Sequence, residues 1–305
     1  MFLPRLLSDG TYADLVTPFR NGDVDLVGLS ALIEWQIHSG VSGVVVCGEN
    51  GETSSLTRSE RVRIIRRAVD VANGAVPVMV GTGTNCTQTT IDFTREAMAL
   101  GASAAHVVTP YYNKPAQGGI YRHFQAVAEV VDLPLVIVNA PGRCVVDLQN
   151  PLLERLANIS SIIGLVDCTG DVTRLAQMPA ICKSRMRHYS GHDRTALAFA
   201  LAGGNGSFSL AANIAPRQMA GMQTAFRMGN LPAARSLQDR LSPLLSALEM
   251  EHPIVAAKQA LATVLGIAPD VRLPLTPLDE SARAALGVAL TLMGDLHSRP
   301  LAKAS

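Results

Sequence analysis

Short apolar runs rich in β-branched residues return along this chain at roughly the 20–35-residue repeat of a strand–helix unit. They read "TYADLVTPF" (11–19), "GVVVC" (43–47), "VPVMVG" (76–81), "AAHVVTP" (104–110), "LPLVIVNAP" (133–141), "IIGLVD" (162–167), "RHYSG" (187–191) and "GSFSLAAN" (206–213). Between them the apolar residues recur at helical spacing. Leu29, Leu32, Ile33 and Ile37 share one face, as do Val62, Ile65, Val69 and Ala72. Thr57 followed by Glu60 makes a capping box, and Gly40 and Gly101 stand as helix stops. Eight such units predict an α/β chain folded as a (β/α)8 TIM barrel.

After about residue 230 the strand runs cease and only helical patterns remain. The expected organisation is therefore a barrel over 1–229 and a C-terminal helical appendage over 230–305. A total of 305 residues fits one barrel of about 250 residues plus a small addition. An open doubly wound sheet would carry a phosphate-loop glycine pattern after its first strand. "GTGTNC" (81–86) follows the third run and lacks the spacing.

Charge and cysteine usage narrow the partners. A net charge of +1 with dispersed Lys and Arg offers no basic field for nucleic acid and no electrostatic membrane anchor. The apolar stretches are interrupted too early for a membrane span, and "MFLPRLLSDG" lacks a long apolar segment of a signal peptide. The five cysteines (47, 86, 144, 168, 182) include no CxxC pair, which predicts reduced thiols in a cytoplasmic protein. No ligand spacing for a metal appears, and no cofactor is expected.

On a barrel, function collects at the C-terminal strand ends. The polar residues read there are Thr17, Glu49, Asn50, Thr82, Tyr111, Tyr112, Asn139, Arg143, Asp167, Ser190 and Ser209. Cys47, Cys144 and Cys168 also lie near strand ends. A thiol nucleophile needs a base or cation beside it, and neither His106 nor His192 is clearly placed to serve, so they read as inert.

Several segments together resemble the dihydrodipicolinate synthase and N-acetylneuraminate lyase family. They are "GENGET" (48–53), "VTPYYNKP" (108–115), "VNAPGRCVVDL" (138–148), "IIGLVDCTGD" (162–171), "SGHD" (190–193), "GGNGSFSLAAN" (203–213) and "VRLPLTPL" (271–278). The resemblance covers nearly the whole chain in order. It implies a barrel with a helical tail, a homo-oligomer (dimer or tetramer), a small carboxylate ligand and no cofactor. It also implies class I lyase chemistry. A strand-six lysine forms a Schiff base with a keto acid, and a strand-five tyrosine relays protons. A threonine of the strand-two motif and a tyrosine from a neighbouring subunit extend the relay. An arginine grips the substrate carboxylate.

Carried over residue by residue, Tyr112 matches the neighbour's tyrosine and Arg143 the arginine. Glu49 and Asn50 stand where the family carries threonines. Val138 stands for the tyrosine, Val166 for the Schiff-base lysine, and Phe208 for a usually small residue flanking the ligand carboxylate. Asp167 matches a position commonly acidic in the family and reads as structural. Valine offers no amine. Of four lysines, Lys114, Lys183, Lys258 and Lys303, none falls at an inner strand end. The reading is a lyase-family chain that binds a small keto or hydroxy acid through Arg143, Asn50, Phe208 and Ser209 but has lost imine catalysis, a pseudoenzyme candidate. The alternatives are a lysine-free acid–base enzyme using Glu49 and Tyr112, or a non-enzymatic binding or regulatory homologue. Phe208 is expected to fill the space left by the lysine. Glu49 is expected to pair with Arg143 or cap a helix.

Overall fold

The computed structural model describes residues 7–294. Eight strands close into a parallel barrel: β1 (Gly10–Asp14), β2 (Gly43–Val46), β3 (Val78–Gly81), β4 (Ala104–Val108), β5 (Leu135–Asn139), β6 (Ile162–Asp167), β7 (Arg187–Ser190) and β8 (Gly206–Ser209). Each strand hydrogen-bonds to its sequence neighbours, and β1 joins β8 to close the ring, with Tyr12 opposite Phe208. On the other side Asp14 lies opposite Val45 of β2. Val138 of β5 lies directly opposite Val166 of β6.

Strand side chains alternate between the two faces of the barrel wall. Tyr12, Val45, Met79, Ala104, Val136, Val138, Val166, Tyr189 and Phe208 form the inner cluster. Ala13, Val44, Val46, Val80, Ala105, Val107, Leu135, Ile137 and Leu165 face the helices and form the larger outer core. The eight runs read from the sequence are thus the eight strands. The first is shorter than its apolar run: it ends at Asp14, and the chain then leads into a small antiparallel ribbon, Phe19–Arg20 with Asp23–Val24.

The helices begin and end where the chain chemistry sets them. Helix α1 (Leu26–His38) opens on Asp25, whose carboxylate accepts the Val27 and Gly28 amides, and closes before Gly40 at φ +85°. Helix α2 (Arg58–Ala72) opens on the Thr57–Glu60 capping box. Its buried face is Arg61, Ile64, Ile65, Ala68 and Ala72, slightly rotated from the apolar stripe in the sequence. Arg61 is buried because its guanidinium bonds the Gly81 carbonyl at 2.6 Å and lies over the Phe93 ring. Helices α3 (Thr87–Ala99) and α4 (Gln117–Val130) are full length. The next three units carry shorter pieces: α5 (Asn150–Leu156), α6 (Ala180–Arg185) and α7 (Ala196–Leu201). Helix α8 (Pro216–Arg227) completes the eighth unit.

The tail forms α9 (Leu231–Leu248), α10 (Pro253–Leu265) and α11 (Glu280–Met293). It is clamped to the barrel by charge. Lys258 of α10 is 2% exposed; its Nζ contacts Glu52, donates to the Asp270 carbonyl at 2.9 Å and sits 4.0 Å from the Phe19 ring centroid. Arg272 grips Glu60 through two nitrogens and donates to the Ser55 and Gly22 carbonyls. No helix among the described residues is long and apolar enough to cross a membrane.

Candidate active site

A cavity of about 270 Å³ opens at the C-terminal end of the barrel. Its wall carries Asp14, Glu49, Asn50, His106, Arg143, Val166, Cys168 and Phe208 from the barrel. Leu245 and Leu248 of α9, with Glu249 and Pro253, complete it from the tail.

Asp14 ends β1 two residues after Tyr12, so it points inward like that ring. It is 3% exposed. Its Oδ2 accepts the Asn50 amide at 2.6 Å, while its Oδ1 is buried without a donor. Gly48 allows this approach, since a Cβ there would collide with Asp14 Oδ1. Burial pushes the Asp14 carboxyl well above the usual range, and the neighbouring Glu49 carboxylate pushes it further. Glu49, on the turn after β2, lies within hydrogen-bonding reach of Asp14, and its Oε1 is likewise buried without a donor.

The expected Glu49–Arg143 ion pair does not form. Arg143 sits on a single helical turn after β5 (Pro141–Cys144) and donates to the Glu49 backbone carbonyl and to Asn50 Oδ1, both at 3.1 Å. Glu49 Oε2 instead lies 3.7 Å from His106 Nδ1. Burial lowers the His106 pKa, so the ring is neutral at pH 7, and its Nε2 has no partner.

Phe208 stacks nearly parallel on Tyr12 (centroids 4.8 Å apart) and on His106 (5.2 Å) and meets Tyr189 edge-on. The ring lines the same cavity as Val166 and belongs to the same inner cluster. Val138 and Val166 are buried neighbours in the inner cluster.

This arrangement of barrel, tail and mouth has close counterparts. The model of the dihydrodipicolinate synthetase family matches residues 7–293. The chain belongs to that family. Curated relatives in the dihydrodipicolinate synthetase family include the 4-hydroxy-tetrahydrodipicolinate synthase of Ruegeria pomeroyi, 43% identical over 285 residues, with 93% of this chain and 98% of the relative covered. The enzyme of that name from Thiobacillus denitrificans is 44% identical over 282 residues, covering 91% and 95%. Among solved structures, dihydrodipicolinate synthase of Thermotoga maritima superposes with a TM-score of 0.92 at 34% identity, covering 94% of this chain and 99% of that one. A chloride-inhibited dihydrodipicolinate synthase from Acinetobacter baumannii, complexed with pyruvate, gives 0.91 at 40% identity, with the same coverage.

Within this member of the dihydrodipicolinate synthetase family the other strand-end residues are mostly engaged in structure. Thr17 bonds the Gly51 carbonyl and Thr82 accepts from Thr94. Asn139 bonds Asp147 and the Leu148 amide. Asp167 accepts from Arg174 and from the Thr169 amide and hydroxyl. Ser190 bonds His192, and Ser209 accepts the Ala212 amide. Tyr111 lines a second cavity of about 400 Å³ shared with Glu49, Arg143 and Cys144. Tyr112 is 88% exposed, at φ +69°, and does not line the first cavity. Glu49 lines both cavities and Tyr112 lines neither.

Burial pushes the Cys47 thiol up to about 11 and raises Cys144 and Cys168 as well, so all three are protonated at neutral pH. Among the described residues no group of three His, Cys, Asp or Glu side chains is placed to hold a metal. The sequence reading missed Asp14 and the cavity role of His106. Both stand at inward positions of strands whose other inward residues are apolar, and that break in alternation was the available signal.

Proposed function

We propose that this protein holds a small keto or hydroxy acid non-covalently at the barrel mouth and forms no Schiff base there. The observation that carries the reading is Val166, buried at 1% exposure on the cavity wall with Val138 beside it. Imine formation needs a primary amine at the ligand carbonyl. Lys183 lies on α6, where its Nζ bonds the Ala176 carbonyl, and Lys114 lies in the loop beyond Tyr112. Lys258 is held by Glu52, and none of the three lines the cavity. Lys303 lies outside the described residues.

Arg143, Asn50 and Phe208 are the ligand contacts in this reading; Ser209, turned to the outer layer, is a weaker one. The exposed Tyr112 and the family likeness support a homo-oligomer, dimer or tetramer, and five unpaired cysteines support a cytoplasmic setting. The division into a barrel (1–229) and a helical region (230–305) is part of the same reading, although α9 and α10 supply cavity wall.

The test is borohydride reduction in the presence of pyruvate, followed by intact mass. The expected result is an unchanged mass; a reduced pyruvyl adduct on any lysine refutes the reading. A second reading, an acid–base enzyme without lysine, is favoured by one observation: the buried, donorless Glu49 Oε1 beside the cavity.

A further inference from the structure

Two carboxyl groups meet at the mouth; the Arg143 guanidinium acts on Asp14 through its charge but donates to neither carboxyl. Asp14 Oδ1 and Glu49 Oε1 are both buried acceptors without donors, and the two carboxyls are within hydrogen-bonding reach. An ionised carboxylate can only accept, so two adjacent carboxylates repel, whereas with one of them protonated the two carboxyls satisfy each other. The nearby groups supply no donor to either orphaned oxygen. Arg143 is occupied by the Glu49 carbonyl and Asn50 Oδ1, Asn50 donates to the other Asp14 oxygen, and His106 is neutral. Of the remaining charged wall groups, Asp193 accepts the Ala211 amide through Oδ2 while its Oδ1 has no donor, and Glu249 pairs with Arg194 and faces His192.

We propose that Asp14 and Glu49 share one proton and act together as an acid–base pair that enolises a 2-keto acid held in this cavity. The inference rests on the reading that such an acid binds here without an imine. The unprotonated oxygen of the pair removes a proton from C3 of the ligand. The C3–H electron pair becomes the C2=C3 double bond, and the carbonyl π pair moves to the C2 oxygen, which takes the shared proton. The pair loses one proton and gains one, so its charge is unchanged and the product is the enol. Return of a solvent proton to C3 regenerates the keto acid. Two close carboxyls that cannot both ionise are suited to this exchange, because one member is an acid while the other is a base.

The experiment follows the methyl signal of pyruvate in D₂O by proton NMR with the wild type, Asp14→Asn and Glu49→Gln, reading binding in the same samples by saturation transfer. Each sample is then reduced with borohydride and weighed. The expected result is wild-type exchange at least tenfold above buffer. Either substitution should lower it by about 10²-fold or more with pyruvate still bound. The double variant should be no slower than the singles, as for groups acting as a unit. Binding without exchange in the wild type overturns the acid–base pair and leaves the binding reading standing. Exchange that survives Asp14→Asn also overturns the pair. Absence of both binding and exchange overturns the binding reading and the inference with it. Exchange accompanied by a trapped adduct assigns the chemistry to an imine and overturns both.

Discussion

Replacing Asp14 by Asn should make the protein more stable at neutral pH. The side chain keeps its shape, and an Asn carbonyl can still accept the Asn50 amide that now reaches Asp14 Oδ2 at 2.6 Å. Its amide nitrogen supplies a permanent donor toward the Glu49 carboxylate, which in the wild type depends on the shared proton. Burial and Glu49 raise the folded-state pKa of Asp14 above its unfolded value. The folded chain then holds a proton that the unfolded chain releases above about pH 4. Stability contributed by this group is full below that pH. It falls by about 1.4 kcal/mol per pH unit as pH rises toward the folded pKa. Asn carries no such loss. Once the shared proton is lost at high pH, the buried acceptor left without a donor costs about 1–3 kcal/mol. At about 2 °C per kcal/mol for a chain of this size, the Tm should rise by about 2–6 °C at pH 8. The gain should shrink at pH 6.5 and be smallest at pH 5. Matched thermal melts of both proteins at the three pH values, at one concentration and scan rate, make the measurement. A variant that melts lower at every pH, or differs by the same amount throughout, refutes the shared-proton account.

Two further outcomes follow from buried charge. Lys258→Met should destabilise the fold by about 3–5 kcal/mol in denaturant titration, because it leaves Glu52 charged and buried; adding Glu52→Gln should restore a good part of the loss. Burial pushes His123 down to about 4, below its unfolded value, so its contribution is full above pH 6.5 and is lost as pH falls toward 4. His123→Gln, which can keep a bond to Thr87 Oγ1, should therefore lose about 2 kcal/mol less than the wild type between pH 7 and pH 5.

The fold was legible because each strand run, the Thr57–Glu60 box and the glycine stops are local signals with local causes. The site was less so, for two reasons. The first apolar run continues to Phe19, but the strand stops at Asp14, so reading the run as the strand placed its end at Thr17 and passed over the acid. Adjacent strand-end residues also face opposite ways. Val138, Val166 and Phe208 point into the barrel, while Asn139, Asp167 and Ser209 point into the helical layer and make its structural bonds. Period-two counting separates these sets. The α9 and α10 wall is a different case, since no motif in those helices announces which of their apolar residues meet the mouth.

The Val138–Val166 pairing bears on what an amine placed in this barrel would do. A lysine introduced at 166 would have a valine opposite it at 138 and Asp14 and Glu49 on the same cavity wall. Its ammonium would be captured as their counter-ion, and an ammonium is not a nucleophile. Such a substitution would add a salt bridge before it added a reaction. The acids at the mouth thus set the role of any amine placed beside them: counter-ion first, nucleophile only once they are neutral.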